Sequence, residues 1–152
     1  MKSILSILVI ISTLISCNNT MEKQENLAEK YGADDYGMKQ YVMAFLKKGP
    51  NRDLSSEEAK ELQLKHLQNI EKMAAEGKLV VAGPFLDNGD IRGIYIFNVK
   101  TIEEAKDLTN TDPAIKAGSL VMDLKPWYGS AALMSVNELH NRISSKNITE
   151  GN

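Results

Sequence analysis

Apolar runs alternate with helical patterns along the chain, and their order predicts its secondary structure. Met38–Leu46 ends in a continuous apolar run, which is typical of a central strand buried on both faces. Ser55 and Glu58 have the spacing of a capping box, which predicts a helix from there to about Glu76. Gly77 comes next, and glycine readily adopts the left-handed conformation that ends a helix.

The segments after this helix complete a known order of elements. They are a strand, a turn, a strand, a helix opened by a second capping box, a short helical turn and a strand: Lys78–Ala82, Asp87–Asp90, Ile91–Val99, Thr101–Leu108, Asp112–Gly118 and Leu120–Lys125. Gly83-Pro84 is predicted to end the second strand. The order β-α-β-β-α-β is the split pattern of an α+β, ferredoxin-like sheet.

One face of such a sheet carries the helices, so the other face needs a different cover. A lone four-stranded sheet would expose a large apolar area, and self-association as a homodimer is the simplest prediction. The chain from Ser130 onward could also help, because its apolar residues recur at helical spacing: Ala132, Val136, Leu139 and Ile143.

Residues 1–17 are predicted to be a targeting segment outside the fold. Ile4–Ile15 is almost wholly apolar but too short for a typical membrane-spanning helix. Leu14–Cys17 resembles a bacterial lipobox, in which Cys17 becomes the lipidated N-terminus. An ordinary signal peptide or an uncleaved anchor is the alternative. Asn18 stands where an aspartate would indicate inner-membrane retention, so a lipid-anchored protein of the cell envelope, at the outer membrane, is expected.

The stretch between this segment and the first strand is polar and poor in large aliphatic side chains. Such a composition predicts a tether, with room for a short helix near Glu22–Lys30. The chain therefore divides into a signal peptide, a tether, one folded domain and a partly helical C-terminal extension: residues 1–17, 18–37, 38–129 and 130–152.

Composition and charge exclude several classes of protein. The net charge is -2, so no broad basic surface is implied and nucleic acid is not expected as a partner. The sequence has neither a GxGxxG nor a Walker phosphate loop. Its single cysteine excludes an internal disulfide framework and a multi-cysteine zinc site. Two distant histidines without carboxylates at ligand spacing predict no metal, and no cofactor is expected.

His66 is the strongest candidate for chemistry. It lies four residues from both Leu62 and Ile70, so it belongs to the apolar stripe of its helix and needs a partner or a pocket. Asp112 is the best partner, because a free imidazole has a pKa of about 6.5 and a carboxylate would stabilise its protonated form. The alternatives are a core histidine bonded to a backbone carbonyl, and an aspartate that only caps the helix begun by Pro113.

Three further residues are candidates for binding a small-molecule ligand. Gly83 and Pro84 could let backbone approach a ligand closely, or they could simply end a strand. Arg92 could hold an anionic substrate group, and an exposed hairpin arginine is the simpler alternative. Three aromatic residues are expected in the core and not as a ligand platform: Tyr41, Tyr95 and Trp127.

The order and spacing of several short motifs resemble the YciI-like (YCII-related) family over Met38–Tyr128. These motifs are His66-Leu67, Glu76-Gly77-Lys78-Leu79 running into Ala82-Gly83-Pro84, Asp112-Pro113, Ala117-Gly118 and Lys125-Pro126-Trp127. The resemblance implies a dimeric α/β barrel of ferredoxin-like units. It also implies a pocket with a histidine and an aspartate, here His66 and Asp112. Several relatives have a serine before the third strand, where Ile91-Arg92-Gly93 stands here, which argues against a serine-assisted role.

Two functions remain open from the sequence. The resemblance implies a small cofactorless enzyme that uses His66 and Asp112 for acid/base chemistry on a small organic molecule. A lyase, isomerase or dehydrochlorinase is expected, since some relatives act on small ring compounds and the fold is shared with muconolactone isomerases. The alternative is a non-catalytic binding or assembly module of the cell envelope that retains the fold and its pocket.

Overall fold

The core of the protein is a four-stranded antiparallel sheet. A computed structural model describes residues 26–149, so Cys17, the predicted signal peptide and the first part of the predicted tether lie outside the described residues. The sheet order is β2-β3-β1-β4 with antiparallel neighbours throughout, which confirms the predicted α+β, ferredoxin-like arrangement. The elements are α1 (Leu27–Tyr31), β1 (Met38–Lys48), α2 (Ser56–Ala75), β2 (Leu79–Pro84), β3 (Ile91–Phe97), α3 (Ile102–Thr109), α4 (Pro113–Lys116), β4 (Leu120–Ser130), a 3-10 helix (Ala131–Ser135) and α5 (Val136–Ile143).

Both predicted capping boxes are confirmed, and they fix where α2 and α3 begin. The Glu58 amide donates to the Ser55 hydroxyl, and the Ser55 amide donates to the Glu58 carboxylate at 2.9 Å. Thr101 and Glu104 repeat this arrangement at the start of α3. These bonds satisfy amides that no intrahelical carbonyl can reach. After α2, Gly77 has a φ of +67°, the left-handed backbone expected of a glycine that ends a helix.

β1 continues to Lys48, two residues beyond its predicted end at Leu46, and two other strands extend to or through prolines because these prolines lie at the edges of the sheet. β2 continues to Pro84, and β4 continues through Pro126 to Ser130. Proline has no backbone N–H to donate to a neighbouring strand. On the outer side of an edge strand there is no neighbouring strand, so a proline there removes no hydrogen bond from the sheet. Since β2 and β4 are the outer strands, the predicted strand ends at Ala82 and Lys125 are wrong.

The main core lies between the sheet and helices α2 and α3. β1 is a central strand, as its continuous apolar run predicted, and alternate residues Val42, Ala44 and Leu46 face the helices. Met73 of α2 and Ala105 of α3 pack in the same cluster. A large apolar side chain that is fully buried contributes about 1.5–3 kcal/mol, so this layer is the main source of stability.

The C-terminal extension covers part of the opposite face of the sheet. Tyr41, Val80 and Ile96 are buried on that face. Leu133 and Met134 of the 3-10 helix pack against them. The extension therefore shields part of the sheet face on which neither α2 nor α3 packs.

The cover does not reach the whole face. The Asn137 side-chain amide donates to the Leu79 carbonyl at 2.8 Å, which holds α5 at the edge strand β2. Phe45 and Ile94 lie opposite each other further along the face and are only half-buried, and Val121 is exposed. These apolar side chains lie beside the Lys47–Asp123 ion pair on the part of the face that the extension leaves uncovered.

Part of the predicted tether folds against the domain. The short helix α1 packs against the 3-10 helix, and Lys30 approaches Glu138 of α5 at 3.8 Å. The Asp34 carboxylate then accepts a hydrogen bond from the Tyr128 hydroxyl at the end of β4. Among the described residues, no helix is long and apolar enough to cross a membrane.

Candidate functional site

His66 and Asp112 lie in direct contact because α2 and α4 pack side by side. The imidazole Nδ1 of His66 lies 2.8 Å from Asp112 Oδ2 and 3.0 Å from Oδ1. His66 is 7% exposed and Asp112 is wholly buried. The structure therefore brings together the two residues that the sequence proposed as a pair, from helices that are far apart in the chain.

Asp112 has two structural tasks at once. Its Oδ1 accepts a hydrogen bond from the Ala114 amide at 2.9 Å, so it is the N-cap of α4, with Pro113 at the first helical position. The same carboxylate accepts from His66 Nδ1. The cap role and the partner role coexist because a carboxylate has several acceptor positions.

Tyr95 is a third member of this cluster, and the sequence analysis assigned it to the core alone. Its hydroxyl lies 3.3 Å from His66 Nε2, and the two rings are stacked at 6.3 Å. Burial, and then the nearby charge of Asp112, raise the pKa of the Tyr95 phenol far above its usual value. The only sequence signal that could have suggested this contact is the alternation along the third strand, which places Tyr95 and Phe97 on one face of the sheet.

The hydrogen bonds assign one of the protons of the His66 ring. A carboxylate only accepts, so Nδ1 carries a proton and donates a hydrogen bond to Asp112. When the imidazole is neutral, the lone pair of Nε2 accepts a hydrogen bond from the Tyr95 hydroxyl. In this form the imidazole can take up a proton at Nε2, and the Asp112 carboxylate stabilises the imidazolium that results.

The three predicted ligand residues lie near the hairpin that joins β2 and β3. Gly83 and Pro84 pair with Ile94 and Gly93, and Pro84 is exposed. The Arg92 guanidinium donates to backbone carbonyls of the hairpin turn, at 3.3 and 3.4 Å. Arg92 therefore braces the turn in this structure, which fits the simpler of its two interpretations.

Two surface cavities of the described chain lie away from this cluster. One, of about 910 Å³, opens at the start of β1 and the end of β4, beside Met38 and Tyr128. A second, of about 450 Å³, lies between α3 and β4. Neither is lined by His66 or Asp112. Within one copy of the chain, the His66 side chain reaches solvent only through the 9% of its surface that is exposed.

Fold and cluster together define an α+β protein with a buried histidine–aspartate pair between its helices and its sheet. Residues 41–128, more than half of the chain, match the family model described as YCII-related domain. The chain belongs to the YCII-related family. The resemblance noted in the sequence is thereby confirmed.

Two known proteins are similar to parts of this chain. "Uncharacterized protein YjpA" from Bacillus subtilis (strain 168) is 31% identical over 62 residues, covering 41% of this chain and 71% of YjpA. A solved structure with 24% identity and a TM-score of 0.43 covers 57% of this chain and 92% of its own. That structure is 5-chloro-2-hydroxyhydroquinone dehydrochlorinase (TftG) from Burkholderia phenoliruptrix AC1100, in complex with 2,5-dihydroxybenzoquinone.

Proposed function

We propose that this protein is a cofactor-independent enzyme that moves a proton on a small organic molecule. His66 is the general base, and Asp112 orients it and stabilises its protonated form. The observation that carries the proposal is the 2.8 Å contact between His66 Nδ1 and a wholly buried Asp112 carboxylate. Such a pair suits proton abstraction next to a carbonyl, or elimination of a leaving group, so the reaction is of the lyase, isomerase or dehydrochlorinase type.

The burial of the pair favours chemistry over a structural role. A buried pair that contains a carboxylate contributes little net stability compared with apolar side chains of similar volume, because its charge has to be taken out of water. Its electrostatic effect on a bound molecule, however, is larger in a site that excludes water. A titratable pair between two helices and a sheet is therefore better explained by catalysis than by packing.

The edge strand β2 offers the substrate a route to this pair. Ala82 lies opposite Tyr95 in the β2–β3 ladder, so both belong to the face on which the helices pack. Ala82 and Pro84 are nevertheless exposed, which leaves an open strip beside Tyr95. A small molecule lying on this strip would contact Pro84 and the Gly83 backbone while it approaches His66.

A ligand panel observed by NMR tests the proposal. The protein has two histidines, and His140 is exposed on α5, so it serves as an internal control. We expect at least one small carboxylate or phenol to shift the ring signals of His66 while those of His140 stay unchanged. His66→Asn should weaken that binding at least about ten-fold, because a strong polar contact is lost. Binding that perturbs only other parts of the chain would refute the proposal.

A non-catalytic binding module is the second candidate, and one observation favours it. Both ring nitrogens of His66 already have partners within the chain, whereas the 910 Å³ cavity beside Met38 and Tyr128 is open. In that case the same ligand panel would shift signals of Met38 and Tyr128 and leave His66 unchanged.

A homodimer is the assembly that we propose for this protein. Phe45, Ile94 and Val121 are apolar residues on the part of the open sheet face that the C-terminal extension leaves accessible. Pairing two copies through this area would remove apolar surface from water.

Lipid anchoring at Cys17 remains our proposal for the location of the protein, at the cell envelope. In bacterial cells grown with a fatty-acid analogue, the full chain should become labelled and Cys17→Ser should not. The variant should also accumulate as an unprocessed precursor, because the modified cysteine marks the cleavage site. Equal labelling of the variant and the unmodified chain would show that Cys17 is not the lipidated residue.

A further inference from the structure

Both nitrogens of the His66 ring are held by the protein, and the second partner is a hydroxyl. Nδ1 donates to Asp112, which leaves Nε2 as the only ring nitrogen able to exchange a proton with a substrate. The Tyr95 hydroxyl lies 3.3 Å from Nε2. Any proton that His66 gains or loses therefore appears beside the Tyr95 oxygen.

A hydroxyl is suited to this place because it can reverse its hydrogen bond. When the imidazole is neutral, the Tyr95 hydroxyl donates to the Nε2 lone pair. When Nε2 carries a proton, the ring donates and the Tyr95 oxygen accepts. Rotation of one hydroxyl hydrogen thus satisfies His66 in both protonation states without moving a heavy atom.

Tyr95 is also held rigidly and stays protonated. Its ring meets Phe97 edge to face at 5.6 Å and lies opposite Ala44 in the sheet. The side chain is 2% exposed. Burial and the charge of Asp112 oppose formation of a phenolate. The hydroxyl is therefore a fixed partner for Nε2 and not a second base.

We propose that Tyr95 is a positioning residue for His66, holding Nε2 in place in both the neutral and the protonated form. This inference rests on the proposed function, since it concerns how the proposed base is held ready. It adds a third residue to the pair, and it gives the tyrosine hydroxyl a role that an aliphatic residue or phenylalanine in the core could not perform.

Tyr95→Phe tests this role, with Tyr41→Phe as the matched control. Both tyrosines are buried and hydrogen-bonded, but the Tyr41 hydroxyl donates to the Ser130 carbonyl on the other face of the sheet. The full chain, labelled with nitrogen-15 in its histidines, reports the state of each ring nitrogen directly. In Tyr95→Phe we expect the Nε2 signal of His66 to move toward that of an unprotonated nitrogen without a hydrogen bond, while Nδ1 stays protonated. Tyr41→Phe should leave both signals unchanged.

The ligand panel supplies the second measurement. Any compound that binds at His66, or is turned over there, should lose roughly ten-fold in affinity or rate in Tyr95→Phe, the effect of one buried hydrogen bond, and little in Tyr41→Phe. An unchanged Nε2 signal in Tyr95→Phe would overturn the inference whatever the reaction is. A shifted Nε2 signal in a protein whose His66 responds to no compound would instead refute the proposed function and leave the hydrogen bond established.

Discussion

Replacing Asp112 by alanine should destabilise the protein by about 3 kcal/mol. Part of this loss is the N-cap of α4, worth roughly 1 kcal/mol, because the Ala114 amide loses its acceptor. The rest is the His66 Nδ1 donor, which would remain buried without a partner at a cost of about 1–3 kcal/mol. Urea unfolding of the full chain should show the loss as a lower midpoint with a similar slope.

Asp112→Asn is the matched control and should separate stability from function. Asparagine caps helices about as well as aspartate, so its carbonyl can keep the bond to the Ala114 amide. Its NH₂ group would then face His66 Nδ1 and require the other tautomer, with the proton on Nε2 donated to the Tyr95 oxygen. We expect stability within about 1 kcal/mol of the unmodified protein. Nε2 would carry a proton and could not accept one from a substrate, so we expect activity to be lost. An equally large stability loss in both variants would mean that the negative charge itself holds the fold.

Signals within a few residues were enough to predict most of the fold. The capping boxes at Ser55 and Thr101 depend on contacts three residues apart, and the continuous apolar run of β1 reports burial on two faces. The strand ends were missed because they depend on position in the sheet. Pro84 and Pro126 are tolerated only because β2 and β4 are edge strands, and no local pattern shows which strand lies at an edge.

Part of the candidate site was also predictable from local signals in the sequence. Helical periodicity placed His66 on the inner face of α2, and Asp112 was the best remaining partner. The Tyr95 contact depends on how far α2 is shifted along β3, which is set by packing of the whole layer. The sequence offered three core aromatics, Tyr41, Tyr95 and Trp127, and only the three-dimensional arrangement places Tyr95 beneath the imidazole.

Removing the C-terminal extension should have the second large effect. A chain ending at Ser130 would expose Tyr41, Val80 and Ile96, which are now 0%, 3% and 5% exposed. Since a fully buried side chain of this size contributes about 1.5–3 kcal/mol and these would become only partly exposed, we expect a loss of about 3 kcal/mol in urea unfolding. The uncovered apolar face should also make the shortened chain associate more strongly, seen as a higher mass in light scattering.

A chain ending at Ser144 is the control, because it keeps the 3-10 helix and α5 and removes only residues beyond them. It should match the stability of the full chain.

The fragment that starts at Met21 and keeps the extension should form a dimer at micromolar concentration, through the area around Phe45 and Ile94. If that fragment is a stable monomer while the chain ending at Ser130 dimerises, the extension takes the place of the second copy on this face. If removal of the extension changes neither stability nor mass, Leu133 and Met134 do not support the core.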